Sequence, residues 1–416
     1  MIWSVIERHA YAYTSPRWLE AWRVQRLRRE LARCSVSAAT SSRRLYVDVS
    51  VISRHDAGTG IQRIVRAVAS HLLTDPQPGW VIHAVGASRR HPYHLIQWPT
   101  AEVPAPHVPI EGRPGDVFIG LDFALDTIRF HRRQLTDFKR RGGKLWFMIY
   151  DLLPVLHPAW FSDKNVVRYR KWLGVLAAMA DGFYCISPYT EAELREELAQ
   201  RYGLESGFRT CVLPIGWDLA SSRPSTGLPA EFDSLLQRLA RRPTALMVGT
   251  IEPRKGHADV LAAFDILWRQ GRGYNLVIVG RAGWKTETLQ LALRSHPRHG
   301  KHLFWLDDAS DEALAMLYAA CNGVIVASLA EGFGLPLIEA LGYGKPVLAR
   351  DIPVFRLHED KGVRYFDAGC EPSTLAHTID DWLGTAQGTM PISPLDIPTW
   401  ADTTRSILSS LAAENA

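Results

Sequence analysis

The feature that most constrains this chain is a repeated alternation of short, almost wholly apolar runs with stretches of helical spacing. "LYVDVSV" (45–51) leads into the glycine loop "DAGTG" and then "IQRIVRAVASHLL", whose apolar residues recur at intervals of three and four. "DVFIGL" (116–121), "KLWFMIY" (144–150), "GFYCIS" (182–187) and "RTCVL" (209–213) continue the pattern, with helical stretches over 123–141, 165–179 and 188–203. Pro188 suits the first turn of the last of these and Gly203 its end. Runs apolar on both faces read as strands of a parallel sheet covered by its crossover helices.

A segment rich in Pro, Gly and Ser, 214–243, breaks the rhythm and reads as a linker with one short helix over 230–241. The alternation restarts with "TALMVG" (244–249), "NLVIVG" (275–280), "HLFWL" (302–306), "GVIVAS" (323–328) and "PVLAR" (346–350). The fold class expected is therefore α/β, with two Rossmann-like doubly wound domains at 45–213 and 244–398. A basic extension, 1–44, precedes them, and a last helix with a tail, 399–416, follows. Two such sheets are expected to face each other across a central cleft, with ligands at the carboxyl ends of the strands.

Charge is uneven. The chain of 416 residues carries a net +5, yet residues 1–45 hold nine arginines against three acids, a local +6. That extension reads either as a solvated basic tail or as a surface that meets anionic membrane lipid. As a helix over 17–33 it places Trp18 and Trp22 on one side and Val24, Leu27 and Leu31 on another, so it lacks a clean amphipathic stripe. Nothing downstream resembles a nucleic-acid-reading module, so no nucleic-acid partner is expected. The five cysteines (Cys34, Cys185, Cys211, Cys321 and Cys370) are scattered without a C-x-x-C pair, which suits a reducing, cytoplasmic setting. No apolar run is long enough to span a membrane, and charge interrupts "MIWSVIERHAYAY" too early for a signal-peptide core.

The chemistry concentrates in "EGFGLPLIE" (331–339). Glu331 lies in the loop after the strand "GVIVAS". Gly332 and Gly334 allow a tight turn and a close approach of backbone to ligand. Pro336 opens a helix whose first N–H groups suit a phosphate, and Glu339 is placed in its first turn. A carboxylate beside a phosphate is suited to sugar hydroxyls, which donate to it. A ligand with sugar, phosphate and sugar in line satisfies both acids, and nucleotide-sugars have that layout. Arg254 and Lys255, in "TIEPRKGH" at another strand end, supply a fork and a point charge for a diphosphate. Each feature alone is also compatible with ordinary surface charge.

Together "VGTIEPRKGH", "LVIVGRAGW", "SDEALAMLYAAC" and "ASLAEGFGLPLIEALGYGKPVLA" resemble the retaining GT-B glycosyltransferases of family four, the mannosyltransferase-like group 1. The resemblance covers 45–412 and is densest over 244–350. It implies that Glu331 contacts the donor sugar and that the backbone at Phe333, Gly334 and Leu335 meets the diphosphate. It further implies that Glu339 holds the ribose and that Arg254 and Lys255 bind the diphosphate. No cofactor and no metal are implied, and the chain contains no D-x-D triplet. "DAGTGIQRIVR" resembles the family's first glycine loop, in which Gly58 and Gly60 pass close to donor phosphate or acceptor. "YDLLPVLHPAWF" resembles a segment that usually begins His-Asp. Tyr150 replaces that histidine, Asp151 matches the acid and becomes the candidate for acceptor positioning or proton acceptance, and His157 is a possible substitute.

The expected function is metal-independent, retaining transfer of a hexose from a nucleotide-sugar, GDP-mannose or a related GDP-sugar favoured, onto a saccharide or lipid-linked saccharide. The setting is polysaccharide or lipid-linked glycan assembly, with peripheral contact to the cytoplasmic face of an anionic membrane. A sugar-nucleotide epimerase and a non-catalytic sugar-nucleotide-binding protein on the same fold are the alternatives.

Overall fold

The computed structural model describes residues 17–33, 43–75, 79–99, 108–220, 224–385 and 397–413. Cys34, Arg8 and the segment "MIWSVIERHAYAY" lie outside them. The chain divides into two compact units. The first holds the described residues up to Ala57, Ile61–Ile215 and the chain from Ala401 onward, and the second holds Gly58–Gly60 and Gly216–Trp400.

The first unit contains strands β1 (Arg43–Asp48), β2 (Trp80–Gly86), β3 (His94–Leu95), β4 (Val117–Gly120), β5 (Lys144–Ile149), β6 (Gly182–Cys185) and β7 (Arg209–Val212). They form one sheet in the order β3-β2-β1-β4-β5-β6-β7, parallel except for the antiparallel edge strand β3. Helices α1 (Arg17–Ala32), α2 (Gly60–Thr74), α3 (Leu125–Phe130), α4 (Arg132–Arg140), α5 (Leu153–Leu156), α6 (Asp163–Met179) and α7 (Pro188–Tyr202) cover it. Ser187 caps α7 by accepting from Thr190 N, and Gly203 ends it at φ +65°, as the Ser-Pro…Gly punctuation predicts.

The expected extension is in part a piece of this unit. Val24, Leu27 and Leu31 of α1 join the core formed by α6, α7 and the strands beneath. Gln25 donates to the carbonyls of Tyr202 and Gly203, and Arg28 donates to Ala177 O at 2.7 Å and also bonds Gly207 O. The two faces separated in the sequence therefore have different tasks: the aliphatic one packs, while Trp18 and Trp22 stay exposed.

The second unit begins with α8 (Phe232–Leu239) and contains β8 (Thr244–Val248), β9 (Asn275–Val279), β10 (Leu303–Leu306), β11 (Gly323–Val326), β12 (Val347–Arg350) and β13 (Arg364–Phe366). The sheet runs β10-β9-β8-β11-β12-β13, all parallel. Its helices are α9 (His257–Arg269), α10 (Glu287–Ser295), α11 (Asp311–Ala320), α12 (Leu335–Gly342), α13 (Pro353–Arg356) and α14 (Pro372–Thr385). Most of the expected linker belongs here, because Leu219, Phe232 and Leu239 are buried in this unit's core. The final helix α15 (Trp400–Ala413) packs largely on the first unit, where Ser410 Oγ lies 2.9 Å from the hydroxyl of Tyr184 on β6.

Candidate active site

In the second unit strand order reverses at the boundary between β8 and β11, the place where open α/β sheets leave a crevice at their carboxyl ends. The loops leaving those two strands carry Arg254, Lys255 and Glu331. Gly256, at φ +70°, lets the first loop press on the second: a Cβ there would lie 2.2 Å from the carbonyl oxygen of Ala327. Leu329 N donates to Arg254 O at 2.7 Å and fastens the two loops.

The side chains converge on one carboxylate. Arg254 donates through NH1 to Glu331 Oε2 at 2.8 Å and through Nε to Glu252 at 3.0 Å. Lys255 Nζ binds Glu331 Oε1, and Ser328 Oγ donates to the same oxygen at 2.7 Å. Burial alone would raise the Glu331 pKa. The charges of Arg254 and Lys255, with hydrogen bonds from Lys255 and Ser328, reverse that and hold it at about 2. Glu331 is thus ionised throughout the ordinary pH range. Beside it His257, 2% exposed, is pushed down to about 3 by burial and the charge of Lys255, so it stays neutral.

Gly334 caps α12 at φ +94°, and a Cβ there would meet Phe355 Cε1 at 2.5 Å. Phe333 stands just before it, edge-on to His358 with ring centroids 6.0 Å apart, and Leu335 is the first helical residue, with Pro336 second. Glu339 is therefore the fifth helical residue, one position further in than its expected place in the first turn. It is 1% exposed and accepts from the Tyr318 hydroxyl at 2.7 Å, so it is no solvated helix acid. Tyr318 is itself stacked on Tyr343 at 5.0 Å.

The residues read from the first half of the chain lie differently. Gly58 takes φ +64° and an added Cβ would meet nothing within 4 Å, while Gly60 opens α2. Tyr150, in the place of the expected histidine, is buried and donates to Leu121 O at 2.7 Å, which makes it a structural tie. Asp151 is half-buried; its Oδ1 accepts from Leu153 N at 3.1 Å. His157 points outward and stacks on Trp160 with centroids 4.3 Å apart.

Three further acids escaped the sequence reading. Glu193 on α7 is raised to about 7, first by burial and then by the charge of Asp151. Asp48 and Asp122 end β1 and follow β4, at the corresponding strand-order reversal of this sheet. Burial and the neighbouring charge of Asp122 raise Asp48 to about 7, and burial raises Asp122 to about 6. Tyr93 donates its hydroxyl to Asp48 at 2.9 Å, and Asp122 accepts the backbone N–H groups of Val51 and Ile52 at 2.6 and 2.8 Å. An acid in "YVDVS" or "GLDFA" has no local signature; only the meeting of two strand ends reveals the pair.

Residues 235–386 match the family model described as glycosyl transferases group 1. A serotype-specific mannosyltransferase WbdA of Escherichia coli is 38% identical over 379 residues, covering 89% of this chain and 45% of that one. The chain thus spans about half the length of the curated relatives it first matches. O-antigen chain mannosyltransferase B of Escherichia coli is 37% identical over 127 residues, 30% of this chain and 33% of that protein. Among solved structures, Anabaena HepE in complex with UDP aligns with TM-score 0.59 and 17% identity over 89% of this chain and 100% of that one. Sucrose-phosphate synthase from Thermosynechococcus elongatus aligns with TM-score 0.53 and 18% identity over 89% of this chain and 94% of that one. At such identities these two likenesses speak for the fold.

Proposed function

We infer for this chain, which belongs to the glycosyl transferases group 1 family through residues 235–386 and has the GT-B fold, the transfer of a hexose from a nucleotide-sugar to a saccharide. The observation that carries this reading is the convergence of Arg254, Lys255 and Glu331 at the strand-order reversal of the matched domain. Mannose is the favoured hexose and polysaccharide assembly the favoured setting, because relatives such as WbdA and O-antigen chain mannosyltransferase B are named mannosyltransferases. GDP-mannose is the favoured donor because a relative 30% identical over 181 residues is named a GDP-mannose-dependent mannosyltransferase.

The hard step is departure of a nucleoside diphosphate. Two fixed cations and the amino end of α12 stabilise the negative charge that grows on it, and being pre-set they need no reorganisation. With that charge supplied by protein groups, the proposed reaction is independent of metal, and a chelator leaves its rate unchanged. Without donor, Glu331 and Glu252 together balance the two cations; the incoming diphosphate competes for them, and the Glu331 carboxylate is released toward the sugar. The buried Glu339 holds the ribose. The backbone at Phe333, Gly334 and Leu335 lies along the diphosphate, with Gly58 and Gly60 as the glycine loop after β1. Asp151, whose charge is felt by the protonatable Glu193, positions the acceptor hydroxyl or takes its proton. The anomeric configuration is retained, and the acceptor is a saccharide or lipid-linked saccharide.

A thermal-shift panel of nucleoside diphosphates and their sugars tests the donor reading, since a ligand bound by the native state alone raises apparent stability. GDP and GDP-mannose are expected to raise the melting temperature of the wild type and to lose most of that effect in Lys255→Ala. A panel in which no nucleoside diphosphate moves it contradicts the reading.

A further inference from the structure

A groove in the first unit, away from the residues assigned above, is built from α1, α4 and α6 with Tyr202 of α7. It encloses about 920 Å³. Its apolar floor is formed by the partly buried Leu27 and Val175, backed by the buried Val24, Ala178 and Met179. Its walls carry Arg23, Arg132, Arg133, Arg140, Arg170 and Lys171 against two acids, Glu20 and Asp137.

Both acids are already engaged, Glu20 with Arg201 at 3.3 Å and Asp137 with Arg140 at 3.0 Å. Arg23, Arg132, Arg133, Arg170 and Lys171 have no ion pair among the described residues, and Arg170 Nε is buried without a hydrogen-bond partner. Lys171 is depressed from its ordinary value by burial and then by the charge of Arg129. Unpaired like charges beside a low-dielectric floor repel one another, and an anion relieves that repulsion. The same wall continues through Arg132, Arg133, Lys171 and Val175 into a cavity of about 680 Å³, then into one of about 1200 Å³ that reaches Val51 and Arg54 in the loop after β1.

A free anion satisfies the walls and leaves the floor wet; a neutral hydrocarbon covers the floor and leaves the cations crowded. We propose that this groove binds a phosphorylated lipid, its phosphate among Arg132, Arg133 and Lys171 and its hydrocarbon chain on the partly buried Leu27 and Val175. The site stands on the cavity and its charges and does not depend on the transferase reading.

Calorimetry on the full chain tests it, with farnesyl phosphate below its micelle threshold set against farnesol and inorganic phosphate. Farnesyl phosphate is expected to bind at least about tenfold more tightly than either. Arg132→Glu combined with Arg133→Glu removes that advantage. Val175→Trp, which fills the floor but keeps every charge, removes it too, and both variants retain the wild-type melting temperature. Equal affinity for farnesyl phosphate and inorganic phosphate marks a plain anion site and overturns the proposal. So does unchanged binding in both variants. Binding to phosphatidylglycerol vesicles without binding to monomeric farnesyl phosphate marks a membrane-surface patch instead, and overturns it as well.

Discussion

At the scale of the residue, Glu331 holds the two cations, Arg254 and Lys255, that we propose for the diphosphate. Its folded pKa of about 2 lies below the ordinary 4.5, so its contribution to stability is present above the ordinary value and is lost as pH falls toward 2. Glu331→Gln frees Lys255 and leaves Arg254 paired with Glu252. It is expected to bind nucleoside diphosphate more tightly while turning over far more slowly, a split readable in calorimetry and steady-state rates. A variant that loses both alike contradicts the competition described above. Asp48 titrates in the opposite sense. Its folded pKa of about 7 exceeds the ordinary 3.8, so the folded state keeps a proton that the unfolded chain has released. The stability it contributes is full below about pH 4 and declines as pH rises toward 7. Asp48→Asn is expected to flatten that decline in melting temperature measured from pH 4 to 8, leaving the smaller slope due to Asp122.

At the scale of the element, α12 starts where only glycine fits. Gly334→Ala adds a Cβ at φ +94° against the Phe355 ring. It is expected to cost about 1–3 kcal/mol in urea unfolding, together with most of the transfer rate. An unchanged unfolding midpoint sinks that account. Helix α1 is tied to its unit by Val24 and Leu31, each 5% exposed, and Leu31→Ala is expected to cost about 2–5 kcal/mol. A loss within a few tenths of a kcal/mol indicates that α1 does not pack as described. The central strands were legible because both their faces are buried, as in "KLWFMIY" and "NLVIVG". Strand β2 was not: "WVIHAVG" leaves its first four residues only partly buried or exposed and carries a histidine. Strands β3 and β13 are two and three residues long, too short for a periodic signal. The helix 372–385 was also passed over, although Leu375, Ile379, Trp382 and Leu383 give it a buried face.

At the scale of the whole molecule, the second unit was the more readable one, because its candidate site residues sit in loops with fixed glycine and proline punctuation. Which side chains meet was not readable. Arg254 and Glu331 are 77 residues apart, and only the adjacency of β8 and β11 brings them together. Segment 214–243 looked like a linker because Pro, Gly and Ser cluster in it, yet Leu219, Phe232 and Leu239 bury it in the second unit. The Trp-bearing helix looked ambiguous because one side packs and the other does not. The account as a whole rests on Lys255 and Arg254 stabilising a departing nucleoside diphosphate. The direct measurement is diphosphate release from GDP-mannose by Lys255→Ala, with folding checked by circular dichroism. The account predicts a folded protein whose turnover falls by roughly 100- to 1,000-fold, the loss typical of one transition-state donor. Wild-type turnover by that variant would contradict it.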